Sequence, residues 1–225
     1  MRVDALALGP FAARCVILAC EATGRAAVVD PGFEPEAVIE AVRREAWEPV
    51  ALVLTHAHLD HAWGAAALKG AFPNAPLLLH AADLPLYHDL PAQARMFGMP
   101  APGVPPEDGV LEDGQWLAVG RERLLVRHCP GHSPGHVVLI RDDPAAPLAV
   151  VGDVLFAGSV GRTDLWGGSF VQLERSIREV LYRLPDPTRV VPGHGPDTTI
   201  GAEKAGNPFV AVRGRCANQT APADV

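Results

Sequence analysis

The sequence predicts an α/β chain in which two β-sheets lie face to face and helices cover their outer sides. Three observations predict it. Apolar runs of strand length recur along the chain and stop at turns rich in Gly and Pro. Segments with helical spacing of apolar residues stand beside them. Each half runs through several strands and then helices, an order that stacks sheet on sheet inside helical layers. The 225 residues can bury a substantial core and show no short-period repeat. A single domain over residues 1–210, followed by a tail over 211–225, is the simplest arrangement.

The elements follow in order. "RVDALAL", "RCVILAC" and "AAVVD" read as short strands, the third stopping at the turn signal "DPG". A helix is expected from about Pro35, since proline suits a first turn, with Val38, Ala41 and Val42 on one face. "PVALVL" is a continuous apolar run of strand length, "AWGAAALKGAF" the next helix, and "APLLLH" the next strand. From Pro85 to Pro106 the many prolines, with Gly98 and Gly103, predict a connecting segment. "QWLAV", "ERLLVRH", "HVVLIR" and "PLAVVGD" resume the strand pattern. A helix begins at Ser169, where Ser169 and Gln172 have capping-box spacing and Leu173, Ile177, Val180, Leu181 and Leu184 recur on one face. "TRVVPGHG" is the last strand and turn, and the final residues read as frayed.

Composition excludes some functions. A formal charge of −7 argues against a broad nucleic-acid surface, which needs a field of Lys and Arg. A small anionic ligand is compatible with it, because a bound metal reverses the local field. No apolar run approaches the roughly 18 residues that span a bilayer, and "MRVDALALGPF" does not read as a cleaved signal peptide. Cys15, Cys20, Cys129 and Cys216 form no CxxC pair, which points to reduced thiols and a cytoplasmic setting.

The chemistry is concentrated in "THAHLDH", Thr55 to His61. In extended chain His56 and His58 point to one side, so two imidazoles can close on one ion. Asp60 and His61 come after the chain turns and face the same space from another direction. His and Asp together suit zinc, iron or manganese. Further donors stand at other strand ends: His132 in "HCPGHSPGH", Asp153 in "VVGDVLF" and His194 in "VVPGHG". A carboxylate just past an apolar strand is costly unless something neutralises it. Together these strand ends supply enough donors for two metals sharing a bridge.

With these motifs the chain resembles the metallo-β-lactamase superfamily, and within it the glyoxalase II (hydroxyacylglutathione hydrolase) group. "THAHLDH", "CPGHSPGH", "GDVLFAGSVGRTD" and "VVPGHGPDTTIGAEKAGNPF" carry the match, and "GPFAARCVIL" and "AVVDPG" agree with it. The resemblance implies a four-layer αββα sandwich with a metal groove at the edge of the sheets. It implies that His56, His58 and His132 hold one ion, that Asp60, His61 and His194 hold a second, and that Asp153 bridges them. The implied cofactors are two divalent ions, zinc with iron or manganese as alternatives, and a bridging hydroxide that Asp60 orients. The implied reaction is hydrolysis of an acyl thioester such as S-lactoylglutathione by a monomer or small homo-oligomer, with no nucleic-acid or membrane partner.

Asp30 has two readings, an anchor for a ligand histidine or a carboxylate capping its own turn. Thr55 is expected to shape the turn, His136 to be structural and Cys129 to be no nucleophile, while His80, His88 and His128 carry no assignment. "GRTD" is expected to build a loop, with Arg162 paired to Asp164 or a neighbour. Longer glyoxalase II enzymes grip glutathione with basic residues of an added C-terminal helical region. Here Lys204, Arg213 and Arg215 map onto none of those contacts, and Arg95, Met96 and Phe97 are candidates to border the groove instead. A persulfide dioxygenase using one iron is the alternative enzyme, with a lactonase, a β-lactamase or a non-catalytic metal-binding protein behind it.

Overall fold

The computed structural model describes residues 1–141 and 143–212; Arg213, Arg215, Cys216 and the rest of the tail lie outside the described residues. In the first half, β1 (Arg2–Leu8), β2 (Ala13–Cys20) and β3 (Arg25–Val29) lead into α1 (Pro35–Arg44) and β4 (Glu48–Val53). Then come α2 (Leu59–Ala62), α3 (Ala65–Ala71), β5 (Leu77–His80), α4 (Leu84–His88), α5 (Leu90–Met96) and β6 (Gly109–Leu111). The second half runs through β7 (Trp116–Val119), β8 (Glu122–His128), β9 (Val137–Arg141), β10 (Leu148–Gly152) and a small ribbon of β11 (Leu155–Phe156) and β12 (Ser159–Val160). It ends with α6 (Phe170–Glu179), β13 (Arg189–Pro192), β14 (Thr198–Thr199) and α7 (Ile200–Gly206). The strands form one six-stranded sheet in the order β1-β2-β3-β4-β5-β6 and another in the order β14-β13-β10-β9-β8-β7.

Alternation along single strands dictates the layering. Side chains on a strand point to opposite faces in turn. Val16, Leu18 and Cys20 of β2 enter the core between the sheets, while Cys15, Ile17 and Ala19 enter a second core under α1 and α3. On β9, Val137 and Leu139 join the central core, and Val138 and Ile140 join a third that contains Leu173 and Ile177 of α6. Strands buried on both faces explain the unbroken apolar runs. Three apolar layers separate four layers of structure, the αββα sandwich that the resemblance implies. No helix among the described residues is long and apolar enough to cross a membrane.

The sheets also set where chemistry can gather. β3, β4, β5 and β6 are mutually parallel, and β10 runs parallel to β13. Loops leaving parallel strands emerge at one edge, so the segments after β3, β4, β5, β10 and β13 collect there. Two backbone hydrogen bonds tie the edges of the two sheets together: Val137 N–H donates to the Thr55 carbonyl at 2.8 Å and Arg14 N–H to that of Gly193 at 2.7 Å.

The helix expected over "AWGAAALKGAF" is present as α3 but starts later, at Ala65, separate from α2. Gly64 divides the two, because its N–H donates to the Pro31 carbonyl and an added Cβ would collide with the carbonyls of Pro31 and Gly32. The connecting segment after Pro85 is corrected: it holds α4 and α5, whose prolines sit in first turns where no helical N–H is lost. The helix start at Ser169 is as predicted, its Oγ accepting the Gln172 N–H. Cys15, Cys20 and Cys129 are buried free thiols.

Candidate metal centre

The loop after β4 and the short helix α2 carry His56, His58, Asp60 and His61. The loops after β8, β10 and β13 deliver His132, Asp153 and His194 to the same place. Potential donor atoms fall into groups whose members lie within 4.8 Å of one another: His56, His58 and His132; and Asp60, His61 and His194. Within them His58 Nδ1 is 2.8 Å from His132 Nε2, His61 Nε2 is 3.2 Å from His194 Nε2, and His194 Nε2 is 3.2 Å from Asp60 Oδ2. Asp153 stands between the groups. Its Oδ1 is 3.4 Å from His61 Nε2, and its Oδ2 is 3.6 Å from His132 Nε2 and 3.5 Å from His194 Nε2. All seven residues named from the sequence thus converge.

The oxygens behind the rings fix their tautomers. His56 Nδ1 donates to Thr55 Oγ1 at 3.0 Å, His61 Nδ1 to Asp30 Oδ2 at 3.1 Å, His132 Nδ1 to the Arg162 carbonyl at 2.8 Å, and His194 Nδ1 to the Phe11 carbonyl at 3.0 Å. A proton held on Nδ1 makes Nε2 the ring atom that can bind a cation. His58 is turned the other way, with Nδ1 toward His132 and Nε2 buried without a hydrogen-bond partner. The residues fit a metal: His56 Nε2 and Asp153 Oδ1 are also buried with no partner, a costly state that a cation relieves.

Charge divides the two groups. Burial, with neighbouring imidazoles, holds His56 far below its ordinary range, and burial followed by His132 brings His58 down to about 3. Burial also lowers His61, but Asp153, Asp60 and Asp30 outweigh it and raise this group well above the usual imidazole value. Burial pushes Asp153 up, and His61, His132 and His194 more than reverse that, so it stays ionised.

Asp30 anchors the site rather than its own turn: it accepts the Thr55 N–H at 2.6 Å and the Thr55 hydroxyl at 2.7 Å besides its bond to His61. Thr55 relays this support to His56. His136 is structural, its ring stacked on His56 at 4.7 Å and its Nε2 accepting the Asp153 N–H at 3.0 Å. Cys129 is fully buried, and burial pushes its thiol up, away from nucleophilic use. Arg162 pairs with Asp164 through both its Nε and an Nη, at 2.7 and 2.8 Å. His80 and His128 stack on each other at 4.1 Å. Lys204 is engaged by Asp186 and the Leu184 carbonyl.

Two supporting residues escaped the sequence reading. Buried Asp83, just past β5, accepts the Ala57 N–H at 3.0 Å, the Ser133 hydroxyl at 2.8 Å and the Gly135 N–H at 2.5 Å. One carboxylate therefore ties the loop of His56 and His58 to the loop of His132. Gln93 of α5 completes the clamp by donating to the Ala57 carbonyl at 3.0 Å. The available signal was the one used for Asp153, an acid just beyond an apolar strand.

Gly193 allows the close approach before His194. A Cβ there would collide with Asp153 Oδ1 and with the His61 ring. Above the centre opens a cleft of about 420 Å³ with His58, Asp60, His132, Asp153 and His194 on its floor. Phe97, one of the border candidates, lines it; Arg95 and Met96 are exposed but do not.

Comparison with known proteins agrees with this geometry. Residues 8–194 match the family model of the metallo-beta-lactamase superfamily. The hydroxyacylglutathione hydrolase GloC of Haemophilus influenzae is 35% identical over 211 residues, spanning 93% of this chain and 98% of that protein. A solved structure of BLEG-1, described as a B3 metallo-beta-lactamase, superposes with a TM-score of 0.84 at 38% identity, covering 93% of this chain and 99% of that one. TTHA1623, solved in a di-iron-bound form, superposes with a TM-score of 0.81 at 40% identity, covering 92% of this chain and all of that one. The chain belongs to the metallo-β-lactamase superfamily.

Proposed function

We propose that the protein is a dinuclear-metal-dependent thioester hydrolase of glyoxalase II type. The observation that carries this reading is Asp153, whose carboxylate lies between two donor groups of three side chains each, Oδ1 near His61 and Oδ2 near both His132 and His194. His56, His58 and His132 would hold one ion, Asp60, His61 and His194 the other, and Asp153 both. Zinc, iron and manganese all suit such donors, and the di-iron form of TTHA1623 favours including iron. When bound, an ion pair supplies a water acidic enough to attack near neutral pH and an electrophile for the carbonyl oxygen.

The chain's own groups do the rest. Asp60, on the cleft floor, orients the attacking water, whose proton passes to solvent. The water oxygen bonds to the acyl carbon, the C–S bond breaks, and its electron pair leaves on sulfur. A thiol of pKa about 8.5 departs as thiolate, so no separate proton donor is needed. The relative named as a hydroxyacylglutathione hydrolase supports this substrate class.

Elemental analysis of the protein as purified, paired with S-lactoylglutathione turnover followed by thiol release, tests the proposal. Two ions per chain with thiol release are expected. One iron with oxygen uptake would instead favour the persulfide dioxygenase, a reading that leaves the group of Asp60, His61 and His194 without a task. A chromogenic cephalosporin serves as the control for β-lactam hydrolysis, the reaction that BLEG-1's description suggests.

A further inference from the structure

The walls of the cleft differ from its floor. Phe11, Leu59, Phe97, Phe156, Leu165 and Trp166 form most of them, and Gln93, Ser159 and Arg162 are the polar members. Three of these stand directly against the centre. Trp166 lies 6.1 Å from the His58 ring and Phe156 6.2 Å from the His194 ring, between ring centroids, and Phe11 supplies the carbonyl that holds His194. At the mouth Phe11 meets Phe97 edge to face at 5.5 Å, yet the two remain 41% and 55% exposed. Large apolar side chains left in water around a concave site mark a surface that binds apolar matter.

The charges point the same way. Among the described residues, Arg162 is the one Lys or Arg lining the cleft, and Asp164 already pairs with one edge of its guanidinium through Nε and one Nη. A thiol rich in carboxylates, such as glutathione, meets aromatic rings where it would need cations. An alkyl or aryl group meets the surface it prefers.

Resting on the hydrolase reading, we propose that this cleft selects thioesters by an apolar group, aliphatic or aromatic, seated between Phe11, Phe97, Phe156 and Trp166, and that the glutathione portion adds little. Phe97 and Trp166 are then specificity-determining residues. Burying each further methylene against these rings strengthens binding about fourfold until the cleft is filled.

The test uses the metal-loaded protein and probes that cannot be hydrolysed, so that affinity is read apart from catalysis. Calorimetry compares S-methyl-, S-butyl- and S-hexylglutathione with the same alkyl groups on N-acetylcysteamine. Expected are a Kd that falls steeply from methyl to hexyl on both thiols and a difference of less than about threefold between the two thiols at equal chain length. Phe97→Ala, at an exposed position that does not threaten folding, should flatten the chain-length dependence, and Trp166→Ala should flatten it further. A Kd independent of chain length, or a glutathione advantage above about tenfold, overturns the proposal. Turnover of the matching S-acyl thioesters is measured alongside. If none is hydrolysed while binding still follows chain length, the cleft preference stands and the thioesterase reading falls.

Discussion

The group of His56, His58 and His132 and the group of Asp60, His61 and His194 share one carboxylate, yet they differ in charge, burial and support. The first is buried and all imidazole, and its rings are held neutral. The second is less buried and contains an acid, and its rings are pushed toward the protonated form. The first is braced by Asp83 through the backbone of its loops, and Asp30 holds the His61 ring of the second directly but reaches His56 of the first only through Thr55. Two cations entering this site would therefore do different work. One would meet lone pairs already free, and the other would first displace protons.

That contrast can be broken at its shared member. Asp153→Asn should reduce kcat/KM for a thioester at least about 1000-fold and lower the metal content of both groups, read by turnover and elemental analysis. Asp60→Asn touches one side only. It should cost about 100-fold in kcat and reduce metal content toward one ion per chain; a near-normal rate with both ions bound would remove the role given to Asp60. The two braces sharpen the comparison. Asp30→Asn is expected to weaken metal affinity about 10- to 100-fold in chelator competition. Asp83→Asn should instead lower stability by about 2 kcal/mol in thermal melts, since it disturbs a buried acceptor of three hydrogen bonds.

The smallest effect concerns pH in the chelator-treated protein. His61 has a folded pKa raised by its three carboxylate neighbours after burial is overcome. Its ion pairs contribute stability in full below the unfolded value of about 6.5, and that contribution is lost as pH rises through the elevated folded value. Asp153 is depressed, so its contribution is present above the unfolded value of about 3.9 and is lost only as pH falls through the folded one. Melts of the metal-free protein should accordingly fall in Tm from about pH 6.5 upward. The metal-loaded protein should not, because deprotonation favours metal binding.

Much of this was legible in the sequence for a physical reason. Alternation and apolar run length are set by the pleat, so β2, β4, β9 and β10 could be read directly. The donors His56, His58, Asp60 and His61 crowd one short segment, and a dense cluster of ligand types has few other uses. An acid past an apolar strand was a signal for Asp83, but the tasks of Asp83 and Gln93 were not legible, because their partners Ala57, Ser133 and Gly135 are distant in sequence and are backbone groups or a common hydroxyl. β6, β11, β12 and β14 are too short to display any period. The prolines of α4 and α5 read as breakers because the chain alone does not show that they fall in first turns.

Gly193 has a consequence for how this protein tolerates mutation. It contributes no atom to the chemistry, yet even a methyl group there would strike the shared carboxylate and the ring of His61 together. A saturation library should find the position as intolerant as the histidine beside it. Scored by activity alone, this glycine would pass for a catalytic residue, although its whole contribution is the volume it leaves unfilled.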